Sequence, residues 1–135
     1  MTTIVLADDH KMLRQGIRTL LEFEPDFTVI GEASNGTEAL DLVKRTHPDI
    51  LVTDITMPPP TGIQLAEEIK RRHYPTKVIV LSMHDNEFCM TEALTVGASA
   101  YVLKESGVED IVKAIREALD GRRFVSSPFI LPTAL

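Results

Sequence analysis

Cysteine, tryptophan and long apolar runs are what this 135-residue sequence has least of, since it contains one cysteine, no tryptophan and 5% aromatic residues. The single cysteine, Cys89, excludes an internal disulfide and is typical of a reducing compartment. No apolar run approaches the roughly 18 residues that a membrane-spanning helix needs. The sequence also lacks the glycine-rich motifs GxGxxG and GxxxxGK[ST], which argues against the common nucleotide-binding loops.

Positive charge is also in short supply, because 14 lysines and arginines face 20 aspartates and glutamates, giving a net charge of −6. An acidic surface repels nucleic-acid phosphates, so we do not expect this segment to bind DNA by itself. With 44% hydrophobic residues, the chain has the composition of one soluble globular domain. Because no signal peptide precedes the first strand-like run, we expect a cytoplasmic protein with no membrane partner.

Short apolar runs alternate with segments of helical period along the chain. The runs cover residues 4–7, 29–30, 50–52, 78–81 and 100–103. Four of the five are continuous, which is typical of strands buried on both faces of a parallel sheet. The second run is short, and we expect it at an edge. The pattern predicts an α/β domain with a five-stranded parallel sheet and helices on both faces.

Capping signals mark several of the predicted helices. They are Asn35 with Glu38 for the second helix, Asp85 or Asn86 for the fourth, and Ser106 with Glu109, in the spacing of a capping box, for the fifth. Gly121 closes the last helix, and the pattern stops there. We therefore predict one domain over residues 1–121, followed by the start of a linker over residues 122–135 toward a further domain that this chain lacks.

Polar residues follow the carboxyl ends of the predicted strands, which is the edge where open parallel sheets place their sites. Asp8 and Asp9 follow the first strand, Asp54 the third, Ser82 the fourth and Lys104 the fifth. Each has a duller explanation alone, because an Asp pair after a strand is about as often a helix cap as a metal site, and a lone lysine is usually solvated. Their joint placement predicts that three carboxylates, a hydroxyl and an ammonium converge on one site.

The chemistry of such a cluster is that of phosphoryl transfer. Three adjacent carboxylates repel one another, raise one another's pKa and favour a hard divalent cation such as Mg²⁺ or Mn²⁺. A carboxylate beside that ion can attack phosphorus and form an acyl phosphate, and an ammonium such as that of Lys104 can neutralise charge on the phosphoryl oxygens. The four histidines show no ligand spacing and are interpreted as ordinary polar residues: His10, His47, His73 and His84.

Four stretches carry a family resemblance: residues 6–10 (LADDH), residues 54–58 (DITMP) with Gly62 after them, residues 81–82 (LS), and residues 97–104 (GASAYVLK). Over roughly residues 3–121 the chain resembles the receiver domain of two-component response regulators. Finer features resemble the NarL/FixJ, or LuxR-type, subgroup, which carries a C-terminal helix-turn-helix. They are residues 9–16 (DHKMLRQG), residues 29–36 (VIGEASNG) and the pair His84-Asp85.

The resemblance implies a flavodoxin-like, CheY-like fold with strand order 2-1-3-4-5. It also implies a role for each site residue. Asp54 is the phosphoacceptor, Asp9 binds Mg²⁺ directly, Asp8 acts mainly through a metal-bound water, and the backbone carbonyl of Thr56 is a further metal ligand. Lys104 pairs with the phosphoryl group, while Ser82 and Tyr101 occupy the switch positions. In the family, the hydroxyl moves toward the phosphoryl group and the aromatic ring turns inward.

The function that the resemblance implies is a phosphorylation switch and not a conventional enzyme. A sensor histidine kinase would donate the phosphoryl group to Asp54, a homodimer would form on phosphorylation, and DNA would be bound only through the absent output domain to control transcription. Two alternatives remain. One is an interaction module that works without phosphorylation, and the other is a metal-dependent phosphohydrolase, which the lack of a spare catalytic residue near Asp54 disfavours.

Overall fold

Strands and helices alternate along the chain in the computed structural model, which describes residues 1–83 and 86–132. The elements are β1 (Thr2–Ala7), α1 (Lys11–Leu21), β2 (Phe27–Ala33), α2 (Gly36–Thr46), β3 (Ile50–Asp54), α3 (Gly62–Arg71), β4 (Lys77–Ser82), α4 (Glu87–Thr95), β5 (Ala100–Leu103), α5 (Val108–Leu119) and β6 (Phe124–Val125). A 3-10 turn over Lys104–Ser106 joins β5 to α5. Across the described ranges no helix has the length and apolar character needed to traverse a bilayer.

The described strands form one parallel sheet in the order β2-β1-β3-β4-β5-β6. The predicted order of the first five strands is therefore confirmed. Strand β2 lies at an edge as expected, although its seven residues make it longer than the apolar run that marked it in the sequence. The strand count of five was too low, because the two residues of β6 pair with β5 and add a sixth strand. A two-residue strand carries no periodic signal, so the sequence pattern could not reveal it. The division of the chain at Gly121 stays a prediction.

Two hydrophobic cores lie on opposite faces of the sheet. Successive residues of a strand point to opposite faces, so Leu51 belongs to one core and Val52 to the other. The first core lies under α2, α3 and α4, and the second lies under α1 and α5. Every residue of β3 and β5 is buried. This double burial explains why these strands are continuous apolar runs in the sequence.

The predicted caps of α2 and α4 are present. The Asn35 side chain accepts a 2.9 Å hydrogen bond from the backbone nitrogen of Glu38, and the Asn86 side chain caps the first turn of α4. Asp85, the alternative cap of α4, lies outside the described residues, as does His84. Both helices thus begin where a short polar side chain satisfies a free backbone N–H group.

The predicted capping box at the start of α5 was wrong. Ser106 belongs to the preceding 3-10 turn, and α5 begins at Val108. The residue before it, Gly107, has a φ of 86°, a conformation that a residue with a Cβ rarely adopts. Within the described residues no side chain caps this helix. The glycine and the tight turn after Lys104 therefore decided the helix start, and the spacing of Ser106 and Glu109 did not.

Candidate functional site

Three of the predicted site residues meet at the carboxyl edge of the sheet. The Nζ atom of Lys104 lies 3.0 Å from Oδ2 of Asp8 and 3.1 Å from Oδ2 of Asp54. The Lys104 side chain is only 6% exposed, and both carboxylates are buried. These residues end or follow β1, β3 and β5, and parallel strands bring their carboxyl ends to one edge. The convergence predicted for these three residues is confirmed as geometry.

Asp9 and His10 complete the polar cluster at its outer rim. One ligand atom from each of Asp8, Asp9, His10 and Asp54 lies within 4.8 Å of the others. The Nδ1 atom of His10 is 3.2 Å from a carboxylate oxygen of Asp8 and 3.2 Å from one of Asp9. His10, which the sequence predicts to be an ordinary polar residue, has its ring at the site. The signal that could have identified it is its position directly after the Asp pair.

The helix-cap explanation for the Asp pair does not hold. Helix α1 begins at Lys11 with His10 as its N-cap residue, and the His10 side chain makes no capping hydrogen bond. Oδ1 of Asp8 accepts a 2.8 Å hydrogen bond from the backbone nitrogen of His10, which closes a turn before the helix. The Asp8 carboxylate is thus held toward Lys104 by a turn, and Asp9 is left partly exposed at the rim.

Burial sets the charge balance of the site. It raises the pKa of Asp54 above its ordinary value. The hydrogen bond from Thr56 and the charge of Lys104 oppose that rise, and the charge of Asp8 adds to it. Burial alone would lower the pKa of Lys104, but its hydrogen bond to Asp8 and the charges of both carboxylates outweigh burial and raise it. One ammonium therefore serves two buried carboxylates, and the cluster keeps an excess of negative charge.

The loop after β3 is folded tightly against Asp54. The backbone nitrogen of Thr56 donates a 3.1 Å hydrogen bond to Oδ1 of Asp54, and Met57 anchors the loop because its side chain is buried in the core under α3. A Cβ atom added to Gly62 would clash with the carbonyl oxygen of Asp54, so only glycine fits there. The loop therefore fixes the Asp54 carboxylate from the side opposite Lys104. The role of the Thr56 carbonyl as a metal ligand stays a prediction.

Arg14 is a half-buried residue of the site that was not predicted from the sequence. Its Nη1 atom donates a 2.6 Å hydrogen bond to the backbone carbonyl of Asp8, and its Nε atom donates one of 2.8 Å to Glu32. Arg18 holds the other carboxylate oxygen of Glu32 at 2.7 Å. The charge network thus fastens the end of β1 to α1 and β2. Only the position of Arg14, one helical turn beyond the Asp pair, could have suggested this contact.

The two predicted switch residues lie at the end of β4 and within β5. Ser82 ends β4, is fully buried and pairs in register with Leu103, the residue that precedes Lys104. Tyr101 is also fully buried, and its ring packs edge-on against Phe129 with 5.4 Å between the ring centroids. The acidic cluster and the two predicted switch positions are therefore connected through the ends of β4 and β5.

The donor set of the cluster suits a hard divalent cation. Carboxylate oxygens are the ligands that Mg²⁺ and Mn²⁺ prefer, and a cation there would offset the excess negative charge of the buried pair. Asp8, Asp9 and Asp54 supply oxygen atoms close enough together to share one ion. The residues present thus fit the metal that the sequence predicted.

Comparison with known proteins gives the same family on independent grounds. The family model of the response regulator receiver domain matches residues 4–116. The chain is 36% identical over 124 residues to the nitrate/nitrite response regulator protein NarL of Escherichia coli (strain K12), a match that covers 92% of this chain and 57% of that protein. The chain spans little more than half the length of such curated relatives.

Solved structures are similar over nearly the whole chain. A two-component response regulator of the LuxR family from Aurantimonas sp. SI85-9A1 has a TM-score of 0.88 and 38% sequence identity, covering 95% of this chain and 91% of that one. The isolated REC domain of RcsB from Salmonella enterica serovar Typhimurium, in the presence of phosphomimetic BeF3−, has a TM-score of 0.84 and 29% identity, covering 93% and 94%. The chain therefore belongs to the family of response regulator receiver domains, and its relatives include NarL and regulators of the LuxR type.

Proposed function

We propose that Asp54 accepts a phosphoryl group from a sensor histidine kinase and that the domain acts as a phosphorylation switch. The observation that carries the proposal is the ammonium of Lys104, which lies 3.1 Å from Asp54 and 3.0 Å from Asp8. An ammonium in that place can neutralise charge on phosphoryl oxygens attached to Asp54. The complete set of acidic and basic residues favours this function over an interaction module that works without phosphorylation.

The transfer itself needs little from the protein beyond positioning. A carboxylate oxygen of Asp54 attacks phosphorus in line and forms the new O–P bond. The bond from phosphorus to the imidazole nitrogen of the donor breaks, and its electron pair leaves with the imidazole. The N–H of Thr56 holds Oδ1 of Asp54, while Lys104 faces Oδ2. These two contacts orient the nucleophile before the donor arrives.

The metal that we propose for this site is Mg²⁺ or Mn²⁺. Asp8, Asp9 and Asp54, with the backbone carbonyl of Thr56, would hold it, and Asp8 would act mainly through a bound water. When bound, the ion would neutralise charge on the transferring phosphoryl group. The support for this assignment is the closeness of the three carboxylates and the excess negative charge that a single ammonium leaves.

We further propose that Ser82 and Tyr101 carry the switch away from Asp54. The Ser82 hydroxyl would bond a phosphoryl oxygen, and Tyr101 would respond along β5. Phosphorylation would then select one of two conformations that already exchange in the free domain. The support is the position of Ser82, which lies beside Leu103 and so connects the end of β4 to the segment that holds Lys104.

The domain is a phosphoacceptor that assists its own phosphorylation and dephosphorylation, and we do not assign it a turnover reaction. A phosphohydrolase would need a base aimed at water beside Asp54. In the described part of the site the candidate for such a base is His10. Its ring contacts the carboxylates of Asp8 and Asp9, so it is not aimed at Asp54. Steady release of phosphate from a small phosphomonoester, measured over many turnovers per chain, would favour the hydrolase instead.

The output of the switch would be transcriptional control. We propose that residues 1–121 form the receiver and that residues 122–135 begin a linker to a C-terminal helix-turn-helix domain, which alone would contact DNA. The support is that the chain spans little more than half of relatives named as transcriptional regulatory proteins. We also propose a cytoplasmic location and a homodimer on phosphorylation, for which α1 offers exposed apolar side chains, Met12 and Leu20.

Labelling with a small phosphodonor tests the assignment of Asp54. Incubation with acetyl phosphate and Mg²⁺ should add one phosphoryl group to the chain, measured as intact mass. Asp54→Asn should gain none, whereas Asp41→Asn, an exposed carboxylate on α2, should label like the unchanged chain. Equal labelling of the Asp54 variant would refute the assignment, and Asp41→Asn controls for general loss of carboxylates.

A further inference from the structure

Residues 124–129, here called the strap, lie along the outer edge of β5. Phe124 and Val125 pair with Ala100 and Tyr101 in a parallel register. The last residue of the strap, Phe129, packs edge-on against the ring of Tyr101, with an interplanar angle of 80°. The strap lies outside the residues 4–116 that match the receiver family model. It is the stretch through which the domain continues toward any following part of the protein.

Ser126 is the central residue of the strap, and it is fully buried. Its backbone nitrogen donates a 3.1 Å hydrogen bond to the carbonyl oxygen of Tyr101. Its Oγ atom accepts a 2.9 Å hydrogen bond from the backbone nitrogen of Leu103. Ser126 therefore bonds two residues of β5, Tyr101 and Leu103, which lie two positions apart in the chain. One contact is on the switch aromatic, and the other is on the residue directly before Lys104.

We propose that Ser126 and Phe129 are positioning residues of the switch, through which the state of Asp54 and the docking of the strap control each other. The proposal rests on the proposed phosphorylation of Asp54. Phe129 covers Tyr101 and so favours its buried orientation, while Ser126 fixes the backbone that presents Lys104. Coupling of this kind is reciprocal, so a phosphoryl group at Asp54 changes how firmly the strap is held.

A strap that merely covers the sheet edge would behave differently. Such a strap would stabilise the fold, and its loss would lower the unfolding temperature without changing the affinity of the folded domain for a phosphoryl mimic. A coupled strap changes that affinity. When Phe129 is removed, Tyr101 loses its cover and spends time in other orientations. The fraction of binding-competent molecules then falls, and the apparent Kd rises in proportion.

The test uses the full 135-residue chain with Mg²⁺ and BeF3−, a mimic of the phosphoryl group. Phe129→Ala should weaken BeF3− binding about fivefold or more, the lower end of ordinary allosteric coupling. Ser126→Ala should act in the same direction, because the Leu103 N–H loses its acceptor. Ile130→Ala is the matched control, since Ile130 follows Phe129 in the chain but is 81% exposed. Its affinity should stay within about twofold of the unchanged chain, well short of a coupling effect.

Amide exchange supplies a second measurement that does not depend on the variants. In the unchanged chain, BeF3− should change the exchange rates of the Leu103 and Ser126 amides, which the strap contacts protect. Circular dichroism confirms that each variant is folded, and if Ser126→Ala does not fold, Phe129→Ala decides. If BeF3− fails to bind the unchanged chain, the proposed function fails and the strap coupling with it. If BeF3− binds, and the variants bind it like Ile130→Ala with unchanged exchange, only the strap coupling is overturned.

Discussion

The ammonium of Lys104 lies 3.1 Å from Oδ2 of Asp54 and joins the end of β5 to the end of β3. The same nitrogen bonds Asp8 at 3.0 Å, so a single positive charge is shared between two buried carboxylates. Because both carboxylates are paired with one ammonium, a change at Lys104 alters the proposed nucleophile and the proposed metal ligand together.

Replacing Lys104 should slow the chemistry more than it harms the fold. Lys104→Gln should reduce the rate of Asp54 labelling by acetyl phosphate about 100-fold, the size typical of losing one charge-stabilising donor. The rate is measured by intact mass against time at saturating Mg²⁺. Lys44→Gln, which removes a lysine exposed on α2, should label at the unchanged rate. A Lys104 variant that labels normally would remove this residue from the mechanism.

Neutralising Asp54 should stabilise the domain at neutral pH. The folded state raises the pKa of Asp54, so between its unfolded and folded pKa the native chain holds more protons than the unfolded chain. The free energy of unfolding therefore falls as pH rises through that window. The amide of Asp54→Asn does not ionise, so this variant does not lose unfolding free energy in that way. It should be more stable than the unchanged chain at pH 7 without metal, by on the order of 1 kcal/mol.

Urea unfolding at pH 7 and at acidic pH, without metal, measures this effect. The advantage of Asp54→Asn should shrink as pH falls through the folded pKa, because Asp54 itself then becomes neutral. Asp41→Asn serves as the comparison, since it loses an exposed ion pair with Arg45 and should gain no stability. If Asp54→Asn is less stable than the unchanged chain at pH 7, burial of the ionised Asp54 carboxylate does not lower the free energy of unfolding.

Arg14 should influence metal binding without touching the metal. Its 2.6 Å hydrogen bond to the Asp8 carbonyl fixes the turn that carries Asp8 and Asp9. Arg14→Gln should weaken Mg²⁺ binding about tenfold, the lower end for loss of a residue that orients metal ligands. Calorimetric titration provides the affinity.

Arg18→Gln is the matched control for Arg14. Arg18 binds the same Glu32 side chain but makes its backbone contact at Val29, away from the acidic cluster. Its Mg²⁺ affinity should remain close to that of the unchanged chain. Equal weakening by both substitutions would show that the charge network acts on general stability and not on the position of Asp8.

Adding and removing the metal should change stability through Asp9. Mg²⁺ at about 100 times its Kd should raise the unfolding free energy by about 2.7 kcal/mol, and a chelator should reverse the gain. Asp9→Asn should lose most of this gain. It should leave the metal-free domain almost as stable as before, because the Asp9 side chain is 40% exposed. Thermal unfolding with and without Mg²⁺ measures both effects, and a full gain in the variant would exclude Asp9 as a ligand.

Asp8, Asp54 and Lys104 could be placed from the sequence because strand ends alone determine where they lie. The carboxyl ends of all strands in a parallel sheet lie at one edge, so a polar residue directly after an apolar run is expected at that edge. His10 and Arg14 could not be placed in this way. Their contacts depend on where α1 begins and how it packs against β2. Their closeness to the Asp pair in the chain could suggest these contacts but does not determine them.

The contacts of the strap could not be predicted from the sequence for a different reason. β6 has two residues, too few for any period, and Ser126 finds its partners at Tyr101 and Leu103, which are distant in the chain. Ser106 is the opposite case, because its spacing to Glu109 predicts a helix cap that the structure does not contain. The glycine at 107 starts the helix one residue later, so a local pattern was overruled by a backbone conformation.

The pairing of β6 with β5 also bears on how this domain should be cut for experiments. A version ending at Gly121 would uncover the carbonyl oxygens of Ser99 and Tyr101 and leave the apolar strand β5 as a bare edge. Bare edges recruit strands from other molecules, which is a common start to aggregation. Truncation at the end of the last helix should therefore give a protein that aggregates more readily than one truncated after Phe129. Oligomers of the shorter protein would then be caused by the exposed edge of β5 and not by signalling.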